Sequence, residues 1–312
     1  MNWFKKIFHK KPKIIVVLGP TATGKTSLSI ELARRFNGEV ISADSRQVYK
    51  GLDIGTAKVT KEEMKGIPHH MIDVADPMDR YTVALFVQHA RKIISDIYAR
   101  RKTPIICGGT GLYIDALVMN QSFPEVPPNQ DLRQDLESMT TNELFQQLQQ
   151  KDSIRATTID RHNRQRLIRA LEITNAIGGV PQRKQQHPLY HTLFIGLDLS
   201  KDEHNQNIRK RIIERIEHGK MLDEARTLHK NGLSYKRMKE LGLEYRYMAE
   251  YLEHNMTLEE MIDQLEIATR QFAKRQRTWF KRNTHIHWFD LKINQKKIHQ
   301  LVEYFLNNKR LL

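Results

Sequence analysis

Ile14-Ile15-Val16-Val17-Leu18-Gly19-Pro20-Thr21-Ala22-Thr23-Gly24-Lys25-Thr26 is the stretch that decides the fold. The apolar run at its start reads as a buried strand, Lys13–Leu18. G-x-x-x-x-G-K-T follows, a loop that cradles phosphate, and Ser27-Leu28-Ser29-Ile30-Glu31-Leu32-Ala33 carries it into a helix ending near Phe36. Each part has its own task. Gly19 and Gly24 allow backbone conformations that side chains would block. The backbone N–H groups of the loop, over Thr21, Ala22, Thr23 and Gly24, ring an anion at a helix start, where the dipole also favours negative charge. Lys25 supplies a mobile cation, and Thr26 can hold a metal ion or a phosphate oxygen. The motif specifies a polyphosphate or a diphosphate. It does not specify ATP.

The stretches on either side repeat the strand-then-helix pattern. Asn37-Gly38 ends the first helix, and Glu39-Val40-Ile41-Ser42-Ala43 reads as a second strand. His70-Met71-Ile72-Asp73-Val74 is a candidate third. Residues 82–101 carry Val83, Phe86, Val87, Ala90, Ile93, Ile94 and Ile97 at helical spacing, and Thr103-Pro104-Ile105-Ile106-Cys107 follows as a strand. Short turns between alternating strands and helices predict an α/β fold, a P-loop parallel-sheet core with helices on both faces. Functional residues of such sheets sit beyond the carboxyl ends of the strands. Composition changes at Phe123-Pro124-Glu125-Val126-Pro127-Pro128, after which the chain is polar and helical. The organisation read from this is a basic arm over residues 1–12, a first core part over 13–122, an all-helical insertion over 123–190, and core completion with basic helices over 191–312. The sheet resumes at Thr192-Leu193-Phe194-Ile195-Gly196-Leu197-Asp198, and helices are expected from there to the end.

Fifty-one Lys and Arg against 36 Asp and Glu give a net charge of +15. A small-molecule kinase does not need that excess, whereas a nucleic-acid partner uses it, because cations that neutralise phosphates release counterions. The lone cysteine, Cys107, allows no internal disulfide and suits a reducing cytosol. No apolar stretch approaches the length of a membrane helix, so a cytoplasmic protein without a membrane partner is expected.

Four further constellations carry chemistry. Asp44-Ser45-Arg46-Gln47-Val48-Tyr49 places a carboxylate just past the second strand, able to accept a proton, hold a metal through water, or merely cap a helix. Gly108-Gly109-Thr110-Gly111 puts the Thr110 hydroxyl at the end of the next strand, or serves only as a tight turn. Gln165-Arg166-Leu167-Ile168-Arg169, with Arg161 and Arg164 nearby, makes a cationic helix face suited to phosphates, or one that is simply solvated. Thr269 to Arg282 interleaves cations with Phe272, Trp279 and Phe280, suiting either stacking on bases or inward packing of the aromatics. His69-His70 with Asp73 matches no strong metal-ligand spacing.

The order of these blocks resembles the tRNA dimethylallyltransferase family. The resemblance rests on the phosphate loop, Ser42-Ala43-Asp44-Ser45-Arg46-Gln47-Val48-Tyr49, Asp53-Ile54-Gly55-Thr56-Ala57-Lys58 and Pro68-His69-His70-Met71-Ile72-Asp73. It continues through Gly108-Gly109-Thr110-Gly111-Leu112-Tyr113, Arg166-Leu167-Ile168-Arg169-Ala170-Leu171-Glu172 and Ala273-Lys274-Arg275-Gln276-Arg277-Thr278-Trp279-Phe280. It implies transfer of a five-carbon group from dimethylallyl diphosphate to N6 of the adenine at position 37 of tRNA, next to the anticodon, with diphosphate leaving. The loop residues Gly19, Thr21, Ala22, Thr23, Gly24, Lys25 and Thr26 would then hold the donor's diphosphate, joined by Arg211 and Arg215. Asp44, Lys25 and Thr110 would be catalytic, with Thr26 a ligand to Mg²⁺. Asp44, Ser45, Arg46, Gln47, Thr110, Gln165, Arg166, Leu167, Ile168 and Arg169 would contact the anticodon stem-loop. The resemblance carries no protein partner, so a monomer is expected. The chain departs from the family pattern in a shorter segment over residues 215–224 and in Leu241-Gly242-Leu243-Glu244-Tyr245.

Two rival readings use the same loop. A small-molecule kinase or nucleic-acid-binding NTPase would consume ATP, and an adenylate isopentenyltransferase would prenylate free nucleotide. The helical insertion and the positive charge favour RNA over free nucleotide, a kinase leaves the basic helices without purpose, and the NTPase requires ATP turnover.

Overall fold

The computed structural model describes residues 11–181 and 187–307, so the basic arm lies outside the described residues up to residue 10. The chain divides into a helical unit over residues 121–186 and a larger α/β unit made of what precedes and follows it.

In the larger unit, β1 (Lys13–Leu18) runs into the phosphate loop and α1 (Lys25–Arg35). β2 (Gly38–Ser42), the short α2 (Lys61–Met64), β3 (His69–His70), α3 (Val83–Ala99), β4 (Thr103–Gly108) and α4 (Gly111–Val118) follow. Six strands form one all-parallel sheet in the order β3-β2-β4-β1, continued by β5 (His191–Leu197) and β6 (Ile286–Phe289). β1 therefore lies between β4 and β5, buried on both faces, which is why its sequence is apolar without alternation. Ile15 and Val17 pack with Leu28 and Leu32 of α1 on one side, and α3 packs against β4.

Two strand expectations needed correction. β3 is confined to His69–His70, because Met71 and Asp73 take φ of +64° and +55°, left-handed values that end an extended run. β6 interrupts the region read as helical throughout. It is a four-residue edge strand, too short for a periodic pattern.

The helical unit contains α5 (Gln130–Ser138), α6 (Thr141–Lys151), α7 (Ser153–Thr158) and α8 (Arg164–Ile177). Asn129, Thr140, Asp152 and Asn163 cap these helices by accepting first-turn amides. Leu136, Leu144, Leu148, Leu167, Ile168 and Leu171 form their common core. The buried Glu172 is held by Arg133 at 2.6 and 2.8 Å and by the Asn129 amide.

After β5 the larger unit continues through α9 (Lys201–Glu217), α10 (Met221–Lys230), α11 (Tyr235–Glu240), α12 (Leu243–Leu252) and α13 (Leu258–Phe280), and closes after β6 with α14 (Leu291–Asn307). α14 lays Ile298, Val302 and Phe305 on the same sheet face as α1. Helices α9 to α13 build a second apolar core around Met221, Met238, Tyr245 and Met261, and Val48 and Leu52 of the segment after β2 belong to it.

Candidate active site

A cavity of about 1400 Å³ lies at the carboxyl ends of β2 and β4, over the phosphate loop. Its floor is that loop, and Gly19 shows why the motif demands glycine. Gly19 has φ of +147°, and a Cβ there would stand 2.3 Å from the Leu197 carbonyl oxygen. Lys25 is half-buried and donates to the Pro20 carbonyl at 2.6 Å, where Thr23 Oγ1 also donates at 2.9 Å. Burial lowers the Lys25 ammonium to about 8, with Arg211 adding to the effect and Cys107 and Asp44 opposing it. Thr26 is exposed at the start of α1. Cys107 is buried on the cavity wall, its thiol pushed up by that burial.

Asp44 follows β2, whose end is tied to β4 by the Ala43 amide donating to the Cys107 carbonyl at 2.7 Å. Oδ1 accepts the Arg46 and Gln47 amides at 2.8 and 3.3 Å. Capping and chemistry thus share one side chain: Oδ1 shapes the turn, and Oδ2 has no hydrogen bond among the described residues. Gln47 also lines the cavity, with its carboxamide bonded to Ser42 Oγ at 3.0 Å and to the Thr56 and Ala57 carbonyls. Thr110 Oγ1 accepts the Ser45 amide at 3.0 Å and meets Ser45 Oγ at 3.4 Å. Ser45, Arg46 and Thr110 are not on the cavity wall. The Thr110 hydroxyl props the turn that carries Asp44.

Arg211 and Arg215 of α9 both line the cavity but differ in kind. The Arg211 guanidinium has no hydrogen-bond partner among the described residues, and burial, then Arg215, depress its pKa. Arg215 donates to the Gly55 and Ile54 carbonyls at 2.6 and 3.3 Å and lies 3.4 Å from Glu244. Arg211 is therefore free for an anion, while Arg215 braces the cavity loop over residues 53–58.

In the helical unit, Gln165 and Arg166 are exposed. Leu167 and Ile168 correct the sequence expectation, because both are buried in that unit's core and their side chains cannot touch RNA. Arg169 turns to Glu172 Oε2 at 3.1 Å and the Val126 carbonyl at 2.8 Å. On α13 the aromatic side chains divide. Phe280 is buried, while the partly exposed Phe272 lies beneath Arg275 and Arg282 stacks over Trp279 at 4.0 Å.

Glu224 escaped the sequence reading. Its carboxylate accepts the amides of Asp53, Ile54 and Gly55 at 2.9, 2.7 and 2.9 Å and the Tyr245 hydroxyl at 2.6 Å. The only sequence signal was the pair of departures at 215–224 and 241–245, and these two segments meet on the cavity loop through Glu224–Tyr245 and Arg215–Glu244.

The profile of the IPP transferase family matches residues 47–283, and that of isopentenyl transferases matches residues 12–79. The chain belongs to the IPP transferase family. A relative from Anoxybacillus flavithermus named tRNA dimethylallyltransferase is 40% identical over 300 residues, covering 94% of this chain and 96% of the relative. One of the same name from Acaryochloris marina is 43% identical over 282 residues, covering 89% and 93%. Among solved structures, a full-length tRNA isopentenylpyrophosphate transferase from Bacillus halodurans superposes with a TM-score of 0.71 at 38% identity, covering 95% and 96%. A eukaryotic dimethylallyltransferase described as acting on tRNA superposes with a TM-score of 0.83 at 28% identity, covering 96% of this chain and 81% of its own. The parallel-sheet core of this IPP transferase agrees with those structures. No described helix is long and apolar enough to cross a membrane.

Proposed function

We propose that this IPP transferase moves a dimethylallyl group from dimethylallyl diphosphate to N6 of the adenine at position 37 of tRNA, releasing diphosphate. The observation that carries this reading is one cavity walled by Lys25, Arg211 and Asp44, two cations free of carboxylate hydrogen bonds beside one carboxylate. The relatives named for the same reaction on tRNA support it further.

The residues divide the work. Negative charge grows on the leaving oxygens as the carbon–oxygen bond breaks. Lys25, Arg211 and the loop amides stabilise that charge where it develops. The N6 lone pair is delocalised into the purine, so attack gains from loss of a proton, which Asp44 Oδ2 accepts. The Thr26 hydroxyl and Asp44 suit Mg²⁺, which keeps several waters and binds one or two carboxylates beside phosphate oxygens. Bound there, it would neutralise charge on the departing diphosphate.

The adenine has to leave the anticodon-loop stack to reach the cavity. Gln165 and Arg166 of the helical unit, and the aromatic and cationic side chains exposed on α13, would hold the anticodon stem-loop, with the +15 net charge drawing the RNA in. The enzyme works on this reading as a cytoplasmic monomer without a membrane partner.

Labelled dimethylallyl diphosphate, offered with tRNA, AMP, or ATP plus small acceptors, tests the reading. Label is expected on tRNA alone. Label on AMP but not tRNA, or ATP consumption without prenyl transfer, removes it. Asp44→Ala is expected to slow transfer by roughly 10²–10⁴-fold with donor affinity nearly unchanged; equal losses in both contradict the base role.

A further inference from the structure

We propose that His204 and Gln276 are positioning residues that clamp Thr21, one on each side of its backbone, and so hold the phosphate loop in its diphosphate-binding shape. The inference rests on the reading that this loop takes the donor's diphosphate. Thr21 N–H donates to Gln276 Oε1 at 2.9 Å, and the Thr21 carbonyl lies 2.7 Å from His204 Nε2. Both side chains are buried, His204 at 3% and Gln276 at 7% exposure. Gln276 is used at both ends, since its Nε2 donates to the Gly109 carbonyl at 2.8 Å.

The protonation of His204 follows from its neighbours. Arg277 can only donate, and its Nη2 stands 3.3 Å from His204 Nδ1. Nδ1 is therefore the lone-pair nitrogen, and Nε2 carries the hydrogen that goes to Thr21. Burial and the adjacent Arg277 both favour this neutral ring, against the Thr21 carbonyl and Asp198. Arg277 is itself fixed by Asp198, with Nη2 to Oδ1 at 2.6 Å and Nε to Oδ2 at 3.0 Å. A chain of contacts thus runs from Asp198 through Arg277 and His204 to the loop.

The clamp acts where the loop needs it. Thr21 follows Pro20, whose carbonyl holds both Lys25 Nζ and Thr23 Oγ1. A loop bounded by glycines loses much conformational entropy when a ligand orders it. A loop already held binds without that cost. The two Thr21 groups are also taken up by side chains, so the amides left for an anion begin at Ala22.

The test uses the full-length enzyme with inorganic pyrophosphate as probe, read by calorimetry, alongside the donor's KM and kcat. His204→Leu and Gln276→Leu are each expected to weaken pyrophosphate binding about tenfold or more and to raise the donor's KM more than they lower kcat. His204→Gln, whose amide reaches the same carbonyl, is expected to recover most of the loss. The double variant is expected to lose less than the two singles combined, because both act on one residue. If wild type binds pyrophosphate and His204→Leu binds it within about twofold, or His204→Gln restores nothing, the clamp is overturned while the donor site stands. If wild type binds no pyrophosphate and transfers no prenyl group, the donor reading falls and takes the clamp with it. Should His204→Leu fail to fold, His204→Asn, whose amide stops short of the Thr21 carbonyl, carries the same comparison.

Discussion

The Tyr245 hydroxyl donates to Glu224 at 2.6 Å, and through that carboxylate it is joined to three consecutive amides of the cavity wall. Successive amides of this kind form a natural anion site, and here the protein fills it with its own side chain. Tyr245→Phe removes one hydrogen bond to a charged acceptor, an expected loss of about 1.5–3 kcal/mol. Glu224→Ala orphans all three amides and is expected to cost more and to raise the donor's KM as well, because the wall over residues 53–58 loses its anchor. Denaturant unfolding and donor kinetics on both variants check this; a Glu224→Ala enzyme with wild-type stability would refute it.

Lys25 makes donor capture pH-dependent. Its ammonium titrates near pH 8 in the free enzyme, and only the charged form attracts diphosphate. Diphosphate binding raises that pKa by favouring the charged form. Donor kcat/KM is therefore expected to hold below about pH 8 and fall above it, with kcat falling less. Above pH 8, binding is expected to take up protons, seen as a heat that varies with the ionisation enthalpy of the buffer. Folding runs the opposite way. Between about 8 and the ordinary lysine value near 10.4 the unfolded chain holds more protons at this site, so Lys25's contribution to stability rises with pH there. Lys25→Ala is expected to abolish the pH step and lower kcat/KM by roughly 10²-fold or more.

Glu39 sets an acid limit. It is buried at the start of β2 against Arg100, Lys102 at 2.8 Å and His70 at 2.8 Å. Arg100 foremost, with Lys102 and His70, holds its carboxyl well below the usual range against the opposing pull of burial. The folded pKa lies below the unfolded one, so the stabilisation is full above roughly pH 4.3 and is lost as pH falls from there. Glu39→Gln is expected to be less stable at pH 7 and to show a flatter acid-unfolding curve between about pH 4.3 and 2. A curve parallel to wild type would count against this.

Two neighbours on α8 separate binding from folding. Arg166 is exposed, and Leu167 is fully buried. Arg166→Ala is expected to weaken tRNA binding across sequences and lower the slope of log affinity against log salt by about one, with stability unchanged. Leu167→Ala opens a cavity in the helical core at an expected cost of about 2–5 kcal/mol. An unchanged salt slope in Arg166→Ala would take that residue out of the RNA interface.

β1, the loop and α1 were legible residue by residue, because a doubly buried strand and a glycine-bounded phosphate loop each leave a local signature. Asp44 was legible through its place past a strand end. Leu167 and Ile168 belong to the same family-like block as Arg166, but a helix one residue further round faces its own core, so the block is not one contact surface. The hold of His204 and Gln276 on the phosphate loop, and of Glu224 on the cavity loop, left no local trace. The backbone groups they bind lie between 167 and 255 residues away and are brought near only by the fold. Arg211 was legible as a candidate, but its difference from Arg215 was not, since it depends on the carbonyls of residues 54 and 55.

Thr21 is anchored by side chains 183 and 255 positions further along the chain, and this governs when a newly made enzyme can first work. At a synthesis rate of about 5–20 residues per second, its phosphate loop leaves the ribosome roughly 10–50 s before Gln276 exists to grip it. Through that interval the nascent chain carries its most recognisable motif without the grip that shapes it, so donor capture waits until about the last eighth of translation.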